Sequence, residues 1–120
     1  MLQKAIEKFR AAIAIRPNYQ KALNNCGNAL LGQALTKTGK KAEDLFDQAE
    51  SMFNRMEESG LYNMACVAAR RGQNRKAISL LNKSLAKGRL PEKAYLEQDT
   101  DLDGLRKLKS FQNFMANLPG

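Results

Sequence analysis

The sequence predicts an all-α protein built of antiparallel helical hairpins. Three observations carry that prediction. Apolar residues recur at threes and fours along almost the whole chain, the period of a helix with one buried stripe. No stretch sustains the apolar and polar alternation, rich in β-branched residues, that a strand needs. One spacing of small and aromatic residues returns at offsets of 37 and 35 residues, as it does when a structural unit is used more than once.

Each helix can be justified in turn. In residues 2–15, Leu2, Ala5, Ile6, Phe9, Ala12 and Ile13 form one stripe, and the helix stops at Arg16 because Pro17 disfavours helical geometry in the residue before it. A second helix begins at Gln20, with Leu23, Cys26, Gly27, Leu30, Ala34 and Leu35 inward, and is expected to end at Gly39. The third, residues 41–59, turns Ala42, Leu45, Phe46, Ala49, Met52, Phe53 and Met56 to one side, opens on an acidic turn that suits the helix dipole, and closes before Gly60. The fourth, from Leu61, ends in Arg70, Arg71 and Gly72, and the fifth, with Ala77, Ile78, Leu81 and Leu85 inward, ends in Lys87 and Gly88.

The recurring pattern is Ala, three residues, Phe, two residues, Ala. It stands at Ala5, Phe9, Ala12 and again at Ala42, Phe46, Ala49, with a degenerate third copy at Ala77, Leu81, Ser84. A matching partner helix precedes the second copy (Leu23, Cys26, Gly27, Leu30) and the third (Leu61, Met64, Ala65, Ala68), but not the first. Gly27, Ala65, Ala42 and Ala77 are small at the points where two helices would cross closely, and a larger side chain there should force the pair apart. This arrangement resembles the tetratricopeptide repeat (TPR), most fully in "AIEKFRAAIAIRPN", which keeps alanine, phenylalanine, alanine and proline in register. The closing proline is missing after the later copies, and Leu23 stands where the repeat has an aromatic.

The resemblance implies a short right-handed α-solenoid in a single domain spanning 1–120. Residues 1–19 would be the second helix of a half repeat, 20–57 a repeat with a lengthened first helix, 58–90 a further repeat, and 91–120 a capping segment. It implies also that the first helices of each pair line a concave groove for an extended peptide. Lys21, Asn24, Asn25 and Asn28 would face it from one helix, and Tyr62, Asn63 and Arg70 from the next. Asparagine suits that role because its amide both donates and accepts, so it can hold peptide backbone of any sequence. The absent half repeat would leave Leu2 and Ile6 uncovered, an apolar patch suited to self-association.

Near the C-terminus, Asp99, Asp101, Asp103 and Gly104 spell the opening of an EF-hand calcium loop. The twelfth position is Ser110 where a bidentate glutamate is required, and Leu102 and Leu105 alternate within the loop as a packing pair. The expectation is therefore no metal: an acidic helical turn whose leucines pack inward, followed by a last helix over 110–117 that buries Phe111 and Phe114.

Composition narrows the function. The 120 residues contain no histidine, which removes the commonest general base and any histidine-based zinc site. Cys26 and Cys66 have no metal or redox spacing and read as reduced core residues. Without a signal peptide or an apolar run of bilayer length, the chain is expected to be soluble and cytoplasmic.

The net charge of +8 is unevenly spread, with residues 59–91 holding seven basic and no acidic side chains. No aromatic is interleaved with the basic clusters as a nucleic-acid stacking surface would require. These observations predict a non-catalytic, cofactor-free interaction scaffold for a neutral or acidic protein segment. Self-assembly through open repeat ends is the alternative, and RNA binding through the basic faces is a weaker third.

Overall fold

A computed structural model describes residues 2–119, apart from the side chain of Leu2. Seven α-helices and two 3₁₀ turns account for most of the described residues, and no strand occurs among them. Packing divides the chain into two units, Met1–Gly60 and Leu61–Gly120.

The first unit holds α1 (Leu2–Ile15), α2 (Gln20–Ala34) and α3 (Gly39–Arg55). α2 lies chiefly against α3 and also against α1. Of the expected inward stripe, Leu23, Cys26, Gly27, Leu30 and Ala34 are buried, whereas Leu35, just past the end of the helix, is 44% exposed. Gly27 is required by a close approach, because a Cβ there would stand 2.5 Å from Cε1 of Phe53, a fully buried ring on α3. Two further ties cross the unit. Arg55 Nη2 donates to the Pro17 carbonyl at 2.8 Å, and Arg10 donates to the Gln48 side chain.

Two boundaries differ from expectation. α2 ends at Ala34, five residues before Gly39. The reason is Thr36, whose N–H and hydroxyl both bond the Gln33 carbonyl, at 3.0 and 2.7 Å, and so tighten the chain into a turn. Gly39, at φ +61°, opens α3 instead of closing α2, so the first turn of α3 contains no acid. At the other end, α3 yields at Arg55 to a 3₁₀ turn over Glu57–Gly60. Glu57 there adopts φ +56°, left-handed geometry that costs a residue with a Cβ about 1–2 kcal/mol.

The second unit begins with α4 (Leu61–Arg70) and α5 (Asn74–Ala86), which pack on each other. Both close in the same way. Gly72 and Gly88 take φ +74° and +70°, and the residue after each donates back to a carbonyl five positions earlier, Gln73 to Ala68 at 2.9 Å and Arg89 to Ser84 at 2.8 Å. Then follow α6 (Lys93–Gln98), a 3₁₀ turn over Thr100–Leu105, and α7 (Lys109–Ala116).

The core of this unit joins Ala65, Ala77 and Leu81 to Leu96, Leu102, Leu105, Phe111 and Phe114, so the C-terminal segment is part of the core. Leu85, expected inward, is 44% exposed at the end of α5. Ser84 takes the place that alanine holds in the other two copies of the pattern. It is fully buried, and its hydroxyl has no hydrogen-bond partner among the described residues. No helix of the described residues is long and apolar enough to cross a membrane.

Candidate functional site

α4 carries Tyr62, Cys66 and Arg70 four residues apart, so they share one side of the helix. The acidic turn over Thr100–Leu105 packs on this helix. Leu102 and Leu105 are driven fully into the core, and Asp99 and Asp101, which precede them, meet the polar stripe of α4.

Asp99 is the centre of the arrangement. Its Oδ1 accepts from the Asp101 N–H at 2.9 Å, capping the 3₁₀ turn. Its Oδ2 accepts from the Tyr62 hydroxyl and, at 3.8 Å, from the Cys66 thiol. Asp101 Oδ1 meets Arg70 Nε at 2.7 Å. Asp103 Oδ1 accepts from Arg106 Nε at 2.9 Å. The same guanidinium donates through Nη2 to the carbonyls of Leu96 (3.0 Å) and Asp99 (2.8 Å), and it lies 5.8 Å from the centre of the Phe111 ring. One arginine thus joins the end of α6, the acidic turn and α7. Tyr95 completes the surround, with its ring edge-on to Tyr62 at 6.1 Å.

The electrostatics follow from burial beside carboxylates. Desolvation is the largest cause that pushes the Cys66 thiol well above its ordinary range, and the Asp99 and Asp101 charges add to it. Desolvation also raises the Tyr62 hydroxyl, followed by Cys66 and by its bond to Asp99. Both groups are therefore held neutral. A thiol in such surroundings is the reverse of an activated nucleophile, which needs a cationic neighbour to stabilise the thiolate.

Cys66, Asp99 and Asp101 bring a sulfur and two carboxylate oxygens within 4.8 Å of one another, close enough in principle to ligate a metal. Each already has other work. Both Asp99 oxygens accept protein hydrogen bonds, Asp101 is paired with Arg70, and the thiol keeps its proton. A cation would have to displace these donors and deprotonate the sulfur.

The sequence-predicted groove residues fall in both units. Lys21 and Asn28 are exposed on α2, while Asn24 and Asn25 are half-buried there. On α4, Asn63 is half-buried, Arg70 is turned to Asp101, and Tyr62 is only 7% exposed. Tyr62 must be corrected as a peptide contact: the acidic turn of the same chain already occupies the helix face assigned to a ligand, because Leu102 and Leu105 need a core to enter. The self-association patch is corrected as well. Ile6 is 2% exposed, buried rather than uncovered, and the side chain of Leu2 lies outside the described residues. The sequence shows the aspartates as an acidic turn but gives no sign of their partners, since Asp99 lies 37 positions from Tyr62.

A profile of the family described as "A/B hydrolase-like, N-terminal domain" matches residues 18–118, most of the chain. The chain belongs to the A/B hydrolase-like N-terminal domain family. Searches of curated proteins and of solved structures give no match. The resemblance to tetratricopeptide repeats is thereby corrected. Small residues at Gly27 and Ala42, with Phe46 four residues and Ala49 seven residues after Ala42, are what any close crossing of two helices demands, so that spacing reports packing and not ancestry. In the A/B hydrolase-like N-terminal domain the last thirty residues, which the repeat reading treats as a cap, supply much of the second unit's core.

Proposed function

We propose that the chain is a non-catalytic helical module that binds protein, and that its partner is a hydrolase-like domain of the kind its family's description places after it. The observation that carries this reading is the internal use of the chain's reactive side chains. Tyr62, Cys66 and Arg70 are bound to Asp99 and Asp101, in a chain without histidine, so the one polar cluster under α4 serves cohesion and not turnover. Family membership supports the choice of partner class, since the family is described as the N-terminal domain of A/B hydrolase-like proteins.

The test has two arms. The chain alone, given p-nitrophenyl acetate, is expected to leave the uncatalysed rate unchanged, and a saturable turnover abolished by Cys66→Ala would refute the non-catalytic reading. In calorimetry, the separately produced hydrolase-like domain of a protein carrying both domains should bind the chain saturably. Absence of binding at high micromolar concentrations would remove that domain as the partner.

A further inference from the structure

α5 and the start of α7 border an open hollow of about 430 Å³ with a mostly apolar surface. Its apolar lining is aliphatic. Ile78 and Leu108 pack against the core of the second unit, yet both are only half-buried, and the side they keep outside faces the hollow. Beside them stand Asn74, Ser79, Asn82 and Ser110, which are neutral and exposed. Asn82 donates its Nδ2 to the Ile78 carbonyl at 3.0 Å, so its Oδ1 remains as an acceptor. The side chains of Asn74, Ser79 and Ser110 have no hydrogen bond among the described residues.

One charge lines the hollow, and it is positive. Arg75 is the single ionised side chain of the lining, exposed and without an ion pair among the described residues. The stretches that supply the walls bring no acid to it. Residues 59–91 contain none, and residues 104–120 contain Arg106, Lys107 and Lys109 but no acid either. The acid next to that second stretch, Asp103, is held by Arg106. The potential at the hollow is therefore positive, and its complement is a carboxylate beside an aliphatic group.

The lining separates the anions that could answer this field. No aromatic lines the hollow, so a nucleic acid would find no ring on which to stack its bases. A bilayer offers a flat surface, whereas a concave apolar site admits a projecting side chain. Amides and hydroxyls that both donate and accept suit the backbone of an extended peptide. We propose that this hollow binds an acidic peptide segment of a partner protein, with one leucine, isoleucine or methionine against Ile78 and Leu108 and an adjacent aspartate or glutamate paired with Arg75. The inference rests on the protein-binding reading above, but not on the hydrolase-like domain as the partner.

The probe is a displayed library of random peptides panned on the full 120-residue chain, followed by titration of a labelled peptide recovered from it. The recovered peptides are expected to converge on aspartate or glutamate next to leucine, isoleucine or methionine. Arg75→Glu should weaken binding of the labelled peptide by about tenfold or more and reduce its sensitivity to salt, and Ser79→Trp, which fills the hollow from α5, should abolish it. Lys93→Glu is the control: it makes the same change of charge in the same unit but outside this hollow, and should leave affinity within about twofold. Unchanged circular dichroism shows that each variant folds.

Peptides that bind Arg75→Glu and Ser79→Trp as well as they bind the wild-type chain would overturn the hollow as the site. So would a library that yields no convergent sequence. If the hydrolase-like domain binds in calorimetry all the same, the protein-binding reading stands and only this site is lost. Flotation with phosphatidylserine vesicles, retention of a single-stranded RNA, or a dimer in sedimentation, where Arg75→Glu abolishes it, would give the face to another occupant and equally overturn the proposal.

Discussion

Gly27→Ala tests the close crossing of α2 on α3. Alanine at that position would place its Cβ 2.5, 2.6 and 2.9 Å from Cε1, Cζ and Cδ1 of Phe53. Carbon atoms rest at about 3.5–4.0 Å, so the ring must retreat by about 1 Å along its whole edge. Phe53 has no exposed surface and so no solvent to retreat into. Overpacking of this kind costs about 1–3 kcal/mol. Against it, replacing glycine by alanine inside a helix contributes about 1 kcal/mol of stability.

The expected net effect in the wild-type background is a loss of up to about 2 kcal/mol. Phe53→Leu removes the ring edge, and in that background the same Gly27→Ala change should stabilise the chain by about 1 kcal/mol. The change of sign is the result to look for. Urea unfolding followed by far-ultraviolet circular dichroism measures it, since the chain has no tryptophan to serve as a fluorescent probe. The coupling energy from the four-variant cycle should lie between about 0.5 and 3 kcal/mol. If Gly27→Ala stabilises both backgrounds equally, the glycine is not there for the ring and the crossing argument is refuted.

Three further outcomes are expected. Ser84→Ala should stabilise the chain by about 1–3 kcal/mol in urea unfolding, because it removes a buried hydroxyl that has no partner among the described residues. Asp99→Ala should destabilise by about 1–3 kcal/mol or more, since it leaves the Tyr62 hydroxyl and the Asp101 N–H without an acceptor, and Asp99→Asn should recover part of the loss. The third concerns alkaline pH. Cys66 and Tyr62 titrate higher in the folded chain than their ordinary values of 9.0 and 10.0, so above those values the unfolded chain releases protons that the folded chain keeps. Stability should therefore be level up to about pH 8 and fall as pH rises beyond it, and Cys66→Ala should flatten the first part of that fall in urea midpoints measured from pH 7 to 10.

The helices were legible in the sequence because each has one continuous apolar stripe and a local stop. Pro17, Gly72 and Gly88 act within one turn of the residues they terminate, through a restricted φ or a left-handed one, so their effect needs no tertiary information. Gly39 misled for the same reason in reverse. Glycine marks a place where left-handed geometry is cheap, but it does not say on which side of that place the helix lies. Thr36 decided the matter by giving the Gln33 carbonyl a side-chain partner, a choice for which the sequence carries only a weak preference.

The candidate site was legible by halves. Asp99, Asp101 and Asp103 alternate with Leu102 and Leu105, and that alternation is enough to predict an acidic turn with its leucines inward. Of their partners on α4, Tyr62 and Arg70 were visible as residues of a face assigned to a peptide, while Cys66 read as a core residue. What no spacing could supply was that the two halves belong to each other. A polar stripe on a helix has the same pattern whether an outside peptide covers it or another part of the chain does.

The deciding term is burial. Leu96, Leu102 and Leu105 each lose all their exposed surface in the second unit, at about 25 cal/mol per Å² of apolar area removed from water. No outside ligand competes with that gain, because the acidic turn is tethered to the helix it covers and closes a loop of about thirty residues, whose entropic cost grows only slowly with length. The aspartates then go where the leucines place them, and Tyr62, Cys66 and Arg70 become their partners. That face of α4 is thereby covered by the chain itself, and Leu85 and Tyr95 are large apolar side chains of the second unit that stay outside the core.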